Sequence, residues 1–285
     1  MNDTITIKQL ETIEEAEACE DLQVAIWPSH PGSAGFSIPI HMLAAQIELG
    51  GAVLGAYEGG QMVGFLYTSL ERDEQDRLYH YSWLAGVLPE YRHRKVMEKL
   101  KYRNAEIARA QGAYKIVWTY DPLQGANANL NVRKLGGVVR RYYVNHYGAR
   151  AGGSPQNIGM PSDHFLLEWF VDGSIRKPDL GSYPVADLLD LGICRLVNRV
   201  KVDKQGLQIV SAYDLDLDHP RLLVEIPGDF EGMRAHPERG SLDVEWRLIT
   251  RKIFLRYVRE RGYRVVDFVS ERKEGRRNFY VLEKK

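Results

Sequence analysis

The chain has 285 residues, 44% apolar and 27% charged, and its 38 lysines and arginines balance 38 aspartates and glutamates. Such a composition excludes a dominantly disordered chain, and neutrality removes any global electrostatic drive toward nucleic acid or an anionic membrane. No stretch nears the ~18 consecutive apolar residues of a spanning helix, and the N-terminus has no apolar signal-peptide core, so a soluble, cytoplasmic protein is expected.

Alternation predicts a strand over 4–8. Thr12 with Glu15 has capping-box spacing and opens a helix that runs to about Trp27. Three prolines and two glycines make 28–39 a loop, and a helix over 40–49 ends at Gly50-Gly51. Strands 52–57 and 62–69 are joined by Glu58-Gly59-Gly60-Gln61, a hairpin signal. A strand follows over 79–87, then a helix over 96–111, a strand over 115–120 and a short helix over 125–135. Strands over 138–147 and 164–171 complete the first 171 residues. Beyond a connector at 172–184, the pattern predicts a helix over 185–198 and strands near 207–213 and 221–226. An amphipathic helix over 242–261 and strands over 264–270 and 278–283 close the chain. Glu225-Ile226-Pro227 faintly echoes Val87-Leu88-Pro89, with two unrelated α/β units the plainer explanation.

Four successive bases, Arg92, His93, Arg94 and Lys95, stand where a strand gives way to a helix. Cations at a helix N-terminus oppose the macrodipole, while the free N–H groups there attract anions. A docking polyanion reconciles the two; a solvated basic loop is the alternative.

At this point the chain resembles the GNAT acyltransferase superfamily, whose acyl-CoA signature has the form V-x-P-x-x-R-x-x-G-x-G/A. Val87, Pro89 and Arg92 fall on it; the two glycines are replaced by Lys95 and Met97. The fifth strand and the Lys134-Leu135-Gly136 helix ending continue the likeness over about residues 4–171. Asp121–Gln124, Asn127–Asn131, Asn145–Gly148 and Pro161–Trp169 resemble a branch with an extra C-terminal half. Some members of that branch are regarded as amino-acid N-succinyltransferases.

The resemblance implies an α/β fold, a mixed central sheet flanked by helices, over residues 1–171. A smaller α+β half, 172–285, packs on it or mediates a homodimer. It further implies acetyl-CoA or succinyl-CoA as co-substrate, with no metal, and the amine of a small molecule as acceptor. Leu84, Ala85, Gly86 and Val87 would pair with pantetheine between the splayed fourth and fifth strands. Arg92, His93, Arg94, Lys95, Val96 and Met97 would take the pyrophosphate. Asn127 and Asn131, at i and i+4, share a helix face that would meet coenzyme amides. The family's usual tyrosine acid falls on Val132, so Tyr147, read as the end of the sixth strand, becomes the candidate acid. Asp121 becomes the base or ammonium anchor. His30, Phe36, Asn145 and Asp163 are candidate contacts to the acceptor. Each has a plainer structural reading as a turn, packing or solvated residue.

Cys19 and Cys194 form neither a disulfide framework nor a CxxC zinc site and read as packing residues. The alternating run Asp214–Asp218 fails the EF-hand pattern and reads as a solvated strand end. Trp246, Ile249, Ile253 and Tyr257 form a packing stripe. A non-catalytic coenzyme A sensor is the rival function. A relative using charged tRNA is disfavoured by neutrality.

Overall fold

The structure, a computed structural model, describes residues 5–28, 37–148, 160–175, 178–272 and 275–285. It is a mixed α/β protein with a mostly antiparallel sheet flanked by helices. Its packing divides the chain into two compact units. One holds the chain up to Trp118 with Phe170–Ser174; the other holds most of the remainder.

In the first unit, β1 (Thr6–Gln9) is followed by α1 (Ile13–Ile26) and α2 (Ile40–Glu48). Thr12 caps α1 by accepting the Glu15 N–H at 3.3 Å, as the sequence pattern predicts. Then come β2 (Ala52–Glu58), β3 (Gln61–Arg72), β4 (Leu78–Val87), a 3-10 turn (Pro89–Arg94), α3 (Val96–Ala110) and β5 (Lys115–Tyr120). Gly59 and Gly60 both take positive φ, 55° and 84°, which is what a two-residue hairpin turn needs. The strand order is β1-β2-β3-β4-β5, antiparallel except for the parallel β4–β5 pair. Phe65 and Leu66 of β3 lie in a core cluster with Leu22 and Ile26 of α1 and Val96 and Leu100 of α3.

Two irregularities position the candidate site. The β3–β4 register passes from Tyr67↔Leu84 to Thr68↔Ser82, so Trp83 is an extra, bulged residue. The β4–β5 pairing runs only through Tyr79↔Lys115, His80↔Ile116 and Tyr81↔Val117. From Ser82 onward β4 has no β5 partner, and the two strands part.

The second unit contains α4 (Gly125–Ala128), continued by a π turn (Asn129–Lys134), then β6 (Val138–Tyr143) and β7 (His164–Phe170). After α5 (Val185–Asp190) come β8 (Arg195–Leu196), β9 (Asn198–Val202), β10 (Gln208–Tyr213), β11 (Arg221–Ile226) and α6 (Phe230–Ala235). Then follow α7 (Leu242–Phe254) with a π turn to Glu260, β12 (Arg264–Arg272) and β13 (Arg276–Glu283). Strand order here is β7-β6-β12-β13-β11-β8, with β9–β10 a separate hairpin.

Several expectations change. The helix predicted over 185–198 stops at Asp190, because Gly192 takes φ 66° and turns the chain into β8 and β9. β6 ends at Tyr143, not 147; Asn145 adopts φ 54°, a left-handed turn. β4 and β5 pair directly, whereas β13 separates β11 from β12, so the sequence echo is not a structural repeat. The chain passes from the first unit to the second at 118/119. β6 pairs with β12 through Val139↔Val265 within the second unit. The α7 stripe is interior: Trp246 is 1% exposed, and its indole N–H donates to the Gln208 carbonyl at 2.8 Å. Ile253 and Tyr257 are fully buried and Ile249 half-buried. In the Asp214–Asp218 run, Asp216 meets Arg256 and Arg261, and Asp218 meets Lys284, all at the surface.

Candidate functional site

In the first unit, the sequence-predicted coenzyme residues are contiguous along β4, the 3-10 turn and the start of α3. Leu84 and Ala85 are half-buried on the part of β4 that β5 leaves unpaired, and Gly86 and Val87 are buried. Gly86 is needed for a reason the sequence did not reveal. A Cβ there would lie 2.8 Å from Trp27, 2.9 Å from Ile26 and 3.0 Å from Phe65, so a larger residue would have to push these side chains aside. A bulge lies nearby, at Trp83. Its indole is exposed, donates to Ser69 Oγ at 2.7 Å and lies against Tyr81 with ring centroids 4.7 Å apart.

The four bases separate into two groups. Arg92, His93 and Lys95 are exposed. Arg94 is instead held by Glu58 of the β2–β3 hairpin in a two-pronged ion pair, one arm 2.8 Å. That pair holds the Glu58 carboxyl below its ordinary value. Arg94 is thus engaged within the fold by Glu58. Val96 is buried and Met97 half-buried against the core, so these two offer backbone rather than side chains.

Lys95 has φ 55° and ψ 22°, the left-handed conformation that glycine adopts easily. The turn at this signature position therefore survives the loss of its glycine, at a cost of about 1–2 kcal/mol for the Cβ. No side chain caps α3, and its first internal bond runs from the Lys99 N–H to the Lys95 carbonyl. The N–H groups of Val96 and Met97, at the first turn of α3, point toward the space where an anion would dock. Two exposed cations, Arg92 and Lys95, beside these donors fit a coenzyme pyrophosphate.

Sequence reasoning missed Lys101. Its side chain is buried on α3, its ammonium donates to Ser82 Oγ at 3.1 Å, and it lies 3.8 Å from the Trp118 ring centroid. Burial pulls its pKa down to about 7. The signal was its place among Leu100, Asn104, Ala105 and Ala108 on the buried stripe of the helix.

In the second unit, Asp121 is buried and accepts from Arg247 Nη2 at 2.6 Å, while its other oxygen accepts the Leu123 N–H at 2.8 Å. A carboxylate so bonded anchors the turn after β5 to α7. Arg247 is 1% exposed, and its Nε and Nη1 have no hydrogen-bond partner. Asp163 is likewise consumed. Arg251 donates to it through Nε at 2.7 Å and Nη2 at 2.8 Å, Tyr142 donates at 2.6 Å, and the Asn145 N–H at 3.0 Å. Burial raises its pKa, but these donors outweigh burial and hold the carboxyl below its usual range. It therefore has no capacity left to anchor an amine. The Asn145 side chain accepts the Ser162 N–H, fastening the turn.

Tyr147 stands in that turn rather than on a strand. Its hydroxyl lies 2.7 Å from Thr119 Oγ1, and its ring meets His146 and His164 edge-on. Burial lowers the pKa of both histidines. Asn127 is exposed and Asn131 buried, Asn131 lying on the π turn that begins at Asn129. His30 and Phe36 lie outside the described residues.

Both cysteines are buried, and burial pushes the Cys19 thiol up to about 12 and the Cys194 thiol to about 11, so neither is a ready nucleophile. Among the described residues no cluster of His, Cys, Asp or Glu could hold a metal ion, and no helix is long and apolar enough to cross a membrane.

No curated protein matches the chain. Among solved structures it is similar to a putative acetyltransferase from Salmonella typhimurium determined with its cofactor acetyl-CoA: 19% identity, 60% of this chain, 96% of that one, TM-score 0.47. It is also similar to a ribosomal-protein-alanine N-acetyltransferase from Brucella melitensis: 18% identity, 58% and 99%, TM-score 0.47. An N-acetyltransferase from Staphylococcus aureus shares 17% identity over 59% and 99%, TM-score 0.47. Residues 16–136 match the model of the acetyltransferase (GNAT) family, and this stretch is a domain of that family within a chain longer than one such domain.

Proposed function

We propose that the protein transfers an acyl group, acetyl or succinyl, from acyl-coenzyme A to the amine of a small molecule. One observation carries this reading: β4 and β5 part after three residue pairs, directly before a turn that leads into an uncapped α3. The free edge of β4 at Leu84–Val87 would pair with the pantetheine chain. Arg92, His93, Lys95 and the first N–H groups of α3 would hold the pyrophosphate. Most of the rate would come from positioning two reactants, with a backbone N–H polarising the thioester carbonyl. Tyr147 remains the candidate acid, and Asn145, His30 and Phe36 remain candidates for the acceptor site. The commitment of Asp121 to Arg247 favours a second reading, a coenzyme A sensor without turnover.

The test is thiol release from acetyl-CoA and succinyl-CoA over a panel of amino acids, polyamines and aminoglycosides. Amine-dependent release is expected with wild type. Arg92→Glu should weaken coenzyme A binding about tenfold, or ~1.4 kcal/mol, as expected for the loss of one charge-assisted contact. Binding without release over the whole panel would favour the sensor.

A further inference from the structure

The buried lysine of α3 has no part in the reading above. Lys101 Nζ reaches Ser82, the first β4 residue without a β5 partner, and Trp118, the first β5 residue without a β4 partner. It therefore sits at the vertex where the two strands diverge. No carboxylate lies within salt-bridge distance of it among the described residues; its contacts are one hydroxyl and one ring face. An unpaired ammonium in an apolar interior is costly, so a fold that needed only packing here would be better served by methionine.

We propose that Lys101 holds and returns a proton during acyl transfer, acting through the Ser82 hydroxyl at the vertex of the β4–β5 opening. This rests on the acyltransferase reading. Lys101 is a positioning residue for the proton, not a catalytic residue in contact with the reacting carbon.

The balance is as follows. The acceptor ammonium gives one proton to Ser82 Oγ as the Ser82 O–H proton passes to neutral Lys101 Nζ. The freed nitrogen lone pair forms the N–C bond and the C–S bond breaks, its electron pair leaving on sulfur. The nitrogen sheds its second proton, which the thiolate takes up. Lys101 then releases its proton to solvent. The sum is ammonium plus thioester giving amide, thiol and one proton.

The electrostatics of the vertex suit this task. Burial alone shifts the Lys101 pKa to about 7, so the amine can both accept and release a proton near neutrality. Strand register places Thr68, His80 and Ser82 on the face toward α3, while Tyr67, Glu71, Tyr79 and Tyr81 point to the other face. His80, the titratable group on that face, is held between Asn104 at 3.1 Å and Gln111 at 2.7 Å. Lys8 of β1 pairs with Glu15 and lies over the Tyr57 ring of β2; Glu58 of β2 pairs with Arg94. Arg72 of β3 pairs with Asp76, and Lys115 of β5 lies over the rings of Tyr79 and Tyr114.

The test uses the full chain. With lysine labelled at the ε-carbon and the Lys101 signal assigned from Lys101→Met, NMR should show titration near pH 7 and a shift of that signal on adding coenzyme A. A signal titrating near 10, or one unmoved by coenzyme A, overturns the proposal. In thiol release from acetyl-CoA with the best amine of the panel, Lys101→Met should lower kcat about 10²-fold and remove the inflection near pH 7. KM for acetyl-CoA should change less than twofold and the melting temperature should not fall. Ser82→Ala, which keeps the lysine, should also flatten the profile. Wild-type rate and pH profile in both variants would overturn the proposal and leave the acyltransferase reading standing. Absence of turnover in the wild type would overturn that reading, and the proposal with it.

Discussion

Replacing Asp121 by Asn isolates the charge of one buried carboxylate. Asparagine keeps the oxygen that accepts the Leu123 N–H, so the turn after β5 is preserved. What disappears is the counter-charge of Arg247, which is 1% exposed and already carries two N–H groups without partners. Asp121, at 2.6 Å, is the one carboxylate within salt-bridge distance of that guanidinium among the described residues. Removing one partner of such a pair strands the other, typically at a cost of about 3–5 kcal/mol. At roughly 2–4 °C per kcal/mol for a protein of this size class, the melting temperature should fall by roughly 6–20 °C. Arg247→Met in the Asp121→Asn background removes the stranded charge and should recover at least about 1 kcal/mol, a non-additivity readable by double-mutant cycle. Urea denaturation followed by circular dichroism would measure all four proteins. Asp121→Asn within about 1 kcal/mol of wild type, or strict additivity with Arg247→Met, would show that the pair does not hold the second unit together.

Two further outcomes follow from backbone and charge. Lys95→Gly relieves a left-handed Cβ but adds chain entropy, so a net gain of up to about 1 kcal/mol is expected in the urea midpoint, whereas Lys95→Val should lose stability. The folded-state pKa of Asp163 is depressed, so its contribution is complete above the unfolded value of about 3.9 and is lost as pH falls through the folded value. Thermal melts from pH 6 down to 2 should therefore show steeper acid destabilisation in wild type than in Arg251→Met, which lacks the main donor. Equal slopes would mean that Arg251 does not set the titration.

Elements with a strong local signal were legible in the sequence. The Gly59-Gly60 turn, the Thr12 cap and the long amphipathic helices follow from residues within a few positions of each other. The family likeness was legible too, because Val87, Pro89 and Arg92 lie in one continuous segment of the matched stretch. What escaped is decided at long range. Asp121 and Asp163 looked like free carboxylates, and their partners Arg247 and Arg251 come from α7, more than eighty positions away. Arg94 looked like its three basic neighbours until the β2–β3 hairpin supplied Glu58. Lys101 drew no attention, although it falls on the stripe of Leu100, Asn104, Ala105 and Ala108, because a lysine is seldom fully buried. Asn127 and Asn131 share a helix spacing but not an environment, since one is exposed and the other buried by the rest of the fold.

The pairing of β6 with β12 has a consequence for synthesis. Val139 waits for Val265, which is made 126 residues later (265 − 139). At about 5–20 residues per second on the ribosome, β6 keeps an open edge for roughly 6–25 s. Exposed strand edges are templates for pairing with other chains, so the interval is one of aggregation risk. A chain cut near Val171 would keep that open edge permanently, and would be expected to associate through it rather than persist as a folded monomer.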